Sequence, residues 1–150
     1  MYTIAHHTGR LVEIRIWSPV SLEEAVRWGN DHDDMVDSLS GQYICFVDLI
    51  DATVFPQNVV DAYVATMKNE PRLLRTATLL NQSPTLSMQI QRMIREANHP
   101  DRKVFRDPDE LLRWLAEVLD APEQARLSHL LRDRQPSPPS ARAPRSSRTC

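Results

Sequence analysis

The chain has 150 residues, with 18 basic and 20 acidic side chains and a formal charge of −2 at pH 7. Hydrophobic residues make up 41% and charged residues 25%, and mean hydropathy is −0.43. This is the balance of a water-soluble globular domain, and it leaves no run long enough to cross a bilayer. Two cysteines, Cys45 and Cys150, rule out a disulfide scaffold and a four-thiolate zinc site, and three glycines, Gly9, Gly29 and Gly41, cannot build a P-loop or a GxGxxG turn.

Charge is unevenly spread. Arg132–Cys150 holds five arginines and one acid, leaving 13 basic and 19 acidic residues in Met1–Leu131. An acidic body argues against nucleic-acid binding by the folded domain. The terminal stretch combines four prolines with serines and arginines and has little apolar surface to bury, so it is expected to be disordered. The organisation read from the sequence is one domain over 1–120, a weak helical extension over 121–131 and a tail over 132–150.

In chain order, Tyr2–His6 and Leu11–Trp17 are strands of period two, and Thr8-Gly9-Arg10 between them predicts a hairpin. Ser21 and Glu24 form a capping box at the start of a helix whose stripe runs through Leu22, Ala25, Val26 and Gly29 and resumes at Val36 and Leu39. Tyr43–Ile50 (YICFVDLI) is almost wholly apolar, as a central strand covered on both faces must be. Pro56 opens the next helix, which carries Val60, Tyr63, Val64 and Met67 inward and ends at Pro71. Arg75–Leu80 (RTATLL) is a strand. Ser83-Pro84 starts a helix with the stripe Leu86, Ile90, Met93, Ile94 and Ala97, stopped by Asn98 and Pro100. Lys103–Arg106 is a short strand, and Asp107-Pro108-Asp109-Glu110 caps a helix through Leu119. The fold class is therefore α/β: a single open sheet of about five mostly parallel strands, with an N-terminal β-hairpin and four packing helices.

This order, taken with particular residues, resembles the STAS domain and more closely its SpoIIAA-like branch, also described as STAS/SEC14-like. The likeness lies in Val47-Asp48-Leu49 at the end of the central strand, in Arg75–Leu80, and in Val104-Phe105-Arg106-Asp107-Pro108 followed by Leu111, Trp114 and Leu115. It covers about Met1–Leu119. The resemblance implies a cytoplasmic, bacterial-type regulatory module that docks on a protein partner and is not an enzyme. Its anti-anti-sigma members carry a phosphorylatable hydroxyl at the start of the helix after the central strand. This chain has Pro56, Gln57 and Asn58 there, with Thr53 the nearest hydroxyl, so it departs from that pattern. The alternative the resemblance offers is a SEC14-like binder of a small apolar or lipid ligand, to which Met67, Met88 and Met93 on the helix faces lend an adaptable lining.

Other constellations have structural readings. Asp31, His32 and Asp34 sit one and two apart on a helix, cannot converge on an ion, and are expected to form a solvated acidic face. His6 and His7 point to opposite faces of a strand. Ser83 lies on no G-x-S-x-G elbow and reads as a helix cap, while Cys45 reads as a buried, inert side chain. No metal or cofactor is expected. A binding surface is placed by topology, in the loops at the carboxyl ends of the parallel strands: Asp51, Thr53, Phe55, Gln57, Asn58, Asn81, Gln82 and Ser83. Partner, ligand and oligomeric state are not written in the sequence, and a homo-oligomer is compatible with it.

Overall fold

The computed structural model describes residues 1–134; residues 135–150 of the tail expected over 132–150 lie outside them. Strands β1 (Tyr2–Thr8) and β2 (Leu11–Ile16) form the expected antiparallel hairpin. β3 (Tyr43–Asp48), β4 (Leu73–Leu79) and β5 (Arg102–Phe105) follow in parallel with β2, giving one sheet of spatial order β1-β2-β3-β4-β5. β3 is the middle strand. Tyr43, Cys45 and Leu49 enter the core on one face of the sheet, and Ile44 and Phe46 enter the core on the other, which explains its unbroken apolar run.

Helices α1 (Leu22–Asp37), α2 (Gln57–Met67) and α3 (Pro84–Ala97) cover the first face. The second face is covered by α4 (Pro108–Ala116) and α5 (Ala121–Arg132). Capping follows the sequence. Ser21 and Glu24 close a capping box on α1, Ser83 accepts from the Leu86 amide, and Asp107 accepts from the Asp109 amide. Asn98 ends α3 in the left-handed conformation that asparagine tolerates. Pro56 stands one place earlier than expected, at the N-cap of α2, where its carbonyl accepts from the Val60 amide.

Two expectations change. The buried stripe of α1 is Ala25, Trp28, Gly29 and His32, while Leu22 and Val26 face solvent. Ala25 and Gly29 lie on it as expected and Val36 and Leu39 pack against the core, but the core on this side also accepts a histidine and leaves two aliphatic residues outside. The segment read as a weak extension is helix α5, opened by the Asp120–Glu123 capping box and burying Leu127 and Leu131 in the second core. Arg132 and Asp133, read with the tail, are its last residue and its C-cap.

Glu123 fixes α5 to the first hairpin. Its side chain is fully buried, and its carboxylate accepts from the Arg10 amide at 2.6 Å, from Arg10 Nη2 at 2.9 Å and from the Asp120 amide at 2.9 Å. Burial opposes the charge, but these donors hold the Glu123 pKa below its ordinary value. Removing the acid strands Arg10 and two amides. Glu123→Ala is expected to cost about 2–3 kcal/mol, read as a lowered urea midpoint at unchanged slope, with Glu123→Gln milder because it keeps an acceptor.

Candidate functional site

The sheet register places three polar side chains in one row across a mostly apolar face, with Thr78 two residues further along β4. Cys45 on β3 pairs with Thr76 on β4, and Thr76 pairs with Arg102 on β5. All three are buried. Above the row, the turn between α2 and β4 carries Glu70 into the same core. One Glu70 oxygen, Oε1, receives the Tyr43 hydroxyl at 2.8 Å and lies 2.7 Å from His32 Nε2. The other, Oε2, receives Arg102 Nη2 at 2.7 Å, and the same nitrogen also donates to the Met67 carbonyl. His32 is 2% exposed, stacks near Trp28, and meets the exposed Asp33 through Nδ1 at 3.3 Å.

Burial alone would drive these groups to their neutral forms. At His32 it is overcome by the hydrogen bond and charge of Glu70, which hold the imidazole pKa above its ordinary value. At Glu70 burial is overcome by His32 and then Arg102, which hold the carboxyl below its ordinary range. Burial and the Glu70 charge push the Cys45 thiol and the Tyr43 phenol upward, so both stay protonated near neutrality.

Ligand atoms of His32, Cys45 and Glu70 lie within 4.8 Å of one another, near enough to share a metal ion. The chemistry around them fits a cation poorly. Both Glu70 oxygens are already engaged, and the Arg102 guanidinium sits against one of them. A metal would have to displace a proton from the imidazole and another from a raised thiol, beside a fixed positive charge.

Beside this network is a cavity of about 70 Å³ between the first helical layer and the sheet. Its walls are mostly apolar: Ile14 and Ile16 of β2, Val47 and Leu49 of the β3 region, Phe55, Tyr63 and Met67, and Ile90, Met93 and Ile94 of α3. Trp28, Thr76 and Arg102 also line it. Among the described residues Trp28 Nε1, Thr76 Oγ1 and Arg102 Nε are buried without a hydrogen-bond partner of ordinary geometry, and Thr76 stands next to the Cys45 thiol, a weak sulfur neighbour. Buried polar atoms are nearly always paired, so three open ones on residues lining one cavity, one on α1 and two on the sheet, mark a place where the protein alone does not complete its bonding.

Of the loop residues assigned to a binding surface, only Phe55 reaches this cavity. Its amide and carbonyl are held by the Gln89 side chain. Most of the others shape the loops. Asp51 takes Arg15 Nη2 at 2.9 Å and Arg134 Nη2 at 2.8 Å, and these arginines hold its pKa below the ordinary value. The Thr53 amide donates to Ser18, and Gln57 donates to Asp61. Asn81 bridges the Ile50 and Ala52 carbonyls and accepts from the Ser83 amide, while Ser83 caps α3. Asn58 and Gln82 are exposed. The loops thus sit at the expected end of the sheet, and Arg134 ties them to the end of α5 through Asp48 at 2.5 Å.

Sequence reasoning missed His32, Glu70, Thr76 and Arg102. The acidic run does place Asp31, Asp33 and Asp34 in solvent as expected, but His32 between them turns inward. One signal was available: His32 lies four residues after Trp28, on the same helical stripe. Met67 and Met93 line the cavity, whereas Met88 is exposed.

The network makes stability depend on pH in two directions. Glu70, with a lowered folded pKa, adds stability that is present above its unfolded pKa of about 4.5 and lost as pH falls through the folded value. His32, with a raised folded pKa, adds stability that is complete below its unfolded pKa of about 6.5 and lost as pH rises through the folded value. The pair therefore contributes most between about pH 4.5 and 6.5. Thermal unfolding is expected to show Tm falling from pH 6.5 upward, and His32→Asn to flatten that slope.

Comparison of the chain with protein-family models, with curated proteins and with solved structures finds no match, so the geometry above carries the functional reading by itself.

Proposed function

We propose that this protein is a non-catalytic binder of a small, largely apolar molecule, held in the cavity between the sheet and the helices α1, α2 and α3. The supporting observation is the conjunction of an apolar cavity with three unpartnered, buried hydrogen-bonding groups on its wall. An apolar lining with a few convergent polar groups is the usual chemistry of a ligand site: the lining supplies affinity and the polar groups set orientation. The volume of about 70 Å³ restricts the occupant to a handful of heavy atoms. Met67 and Met93 in the lining can change rotamer to fit it.

This reading takes the ligand-binding side of the STAS/SEC14 resemblance. The protein-docking side draws less from the geometry, because the side chains of Asp51, Gln57, Asn81 and Ser83 are occupied with bonds inside the molecule, as is the Thr53 amide. The bonding groups of the cavity are open.

Titration of isotope-labelled protein with alcohols and carboxylates of about three to six carbons tests the proposal by amide chemical shift. Saturable shifts are expected at Cys45, Val47, Thr76 and Thr78. They should be abolished by Val47→Phe, which fills the cavity. Shifts scattered over the surface, or none, would refute the reading.

A further inference from the structure

We infer that the molecule this cavity takes is a short-chain carboxylate, its anionic end received by Arg102, Thr76 and Trp28 and its apolar end lying against β2 and α3. The inference rests on the proposal that the cavity is a ligand site, and it adds the chemical class of the ligand.

The open groups are donors. An indole N–H and a guanidinium Nε–H can only donate, and a threonine hydroxyl can donate as well as accept. Trp28, Thr76 and Arg102 are 6%, 7% and 7% exposed, so solvent reaches none of them freely. What they lack is an acceptor, and no cation supplies one. The charges agree. Glu70 is the one buried carboxylate of the network, and it is shared by two basic side chains, Arg102 at 2.7 Å and His32 at 2.7 Å. With His32 protonated, the buried groups alone carry one excess positive charge, met only from outside by Asp33, which touches His32 and is more than half exposed. A carboxylate arriving in the cavity would remove that excess.

Arg102 is positioned for this role. Its Nη2 is held by Glu70 and by the Met67 carbonyl, which fixes the guanidinium plane, while its Nε is left open and Arg102 itself lines the cavity. A guanidinium fixed in this way binds an anion without first losing rotamer freedom. Thr76 is its cross-strand neighbour, so the two donors lie side by side on the sheet. The rest of the lining is mostly apolar, with Ile14 on β2 of the same sheet and Ile90, Met93 and Ile94 on α3, where the Met93 thioether is the one heteroatom among these four side chains. One polar end and one apolar end, in a space of a few heavy atoms, describe a short carboxylate better than a neutral hydrocarbon or a phosphate ester.

The test compares butyrate with 1-butanol at pH about 6 on the full chain, by amide chemical shift and calorimetry. Butyrate is expected to bind at least about tenfold more tightly than 1-butanol, as a charge-assisted hydrogen bond in a dry site requires. Thr76→Val keeps the side-chain shape and removes one donor. It should weaken butyrate several-fold and 1-butanol by clearly less, because a charged acceptor gains more from the donor that is lost, and an unchanged urea midpoint checks that it folds like the parent. Equal or tighter binding of 1-butanol would overturn the carboxylate assignment and leave the apolar cavity standing as a ligand site. Unchanged butyrate affinity in Thr76→Val would remove Thr76 from the anion-receiving set and overturn the assignment as stated. Failure of both probes to bind would overturn this inference and the function on which it rests.

Discussion

Glu70 is the side chain around which one half of the molecule is organised. It enters an apolar core as a charged group, which would cost several kcal/mol if it were left alone. Instead it joins three elements: α1 through His32, β3 through Tyr43 and β5 through Arg102. These reach it from different parts of the chain, so the carboxylate can be satisfied only when the helical layer and the sheet are in their native relation. Such a network contributes specificity of arrangement more than net stability, because each charge must be desolvated before it can be paired.

The same network makes the cavity chemically uneven. Close packing would normally fill the space between an open sheet and its helices with aliphatic side chains. Here the row Cys45–Thr76–Arg102 sets a polar stripe along one wall, and Glu70 occupies only part of the bonding capacity of Arg102. The remaining donors face a space lined by methionine, isoleucine and aromatic rings. Structural support and ligand recognition thus draw on one set of residues.

A second set of ion pairs serves the opposite layer. Glu123 with Arg10 and Glu13 with Arg126 fasten α5 to the hairpin, and Arg134 spans Asp48 and Asp51 at the carboxyl end of β3. These contacts explain why a short helix with a modest apolar face is nevertheless part of the fold. Arg134 also draws Asp48 and Asp51 into internal pairs at that end of the sheet, the natural place for a site in an α/β architecture, while Asn58 and Gln82 there stay exposed.

The architecture was legible in the sequence because it depends on local patterns. The period-two run Leu11–Ile16, the apolar Tyr43–Asp48 segment and the caps Ser21, Ser83 and Asp107 each depend on neighbours within a few residues, and strand–helix alternation then leaves few topologies. The candidate site was not legible. His32 sits among acids that do face water, Glu70 lies in a turn with the look of any polar loop, and Arg102 follows an aspartate at the start of a four-residue strand. Their burial comes from sheet register and helix docking, which bring positions 32, 70 and 102 together across long stretches of chain. Local order alone sets which segments are strands and helices, since hydrophobic period and capping act over one or two turns. Which polar side chains leave water, and which of their donors stay open, follows from packing, because desolvation depends on everything around a group and not on its neighbours in the chain.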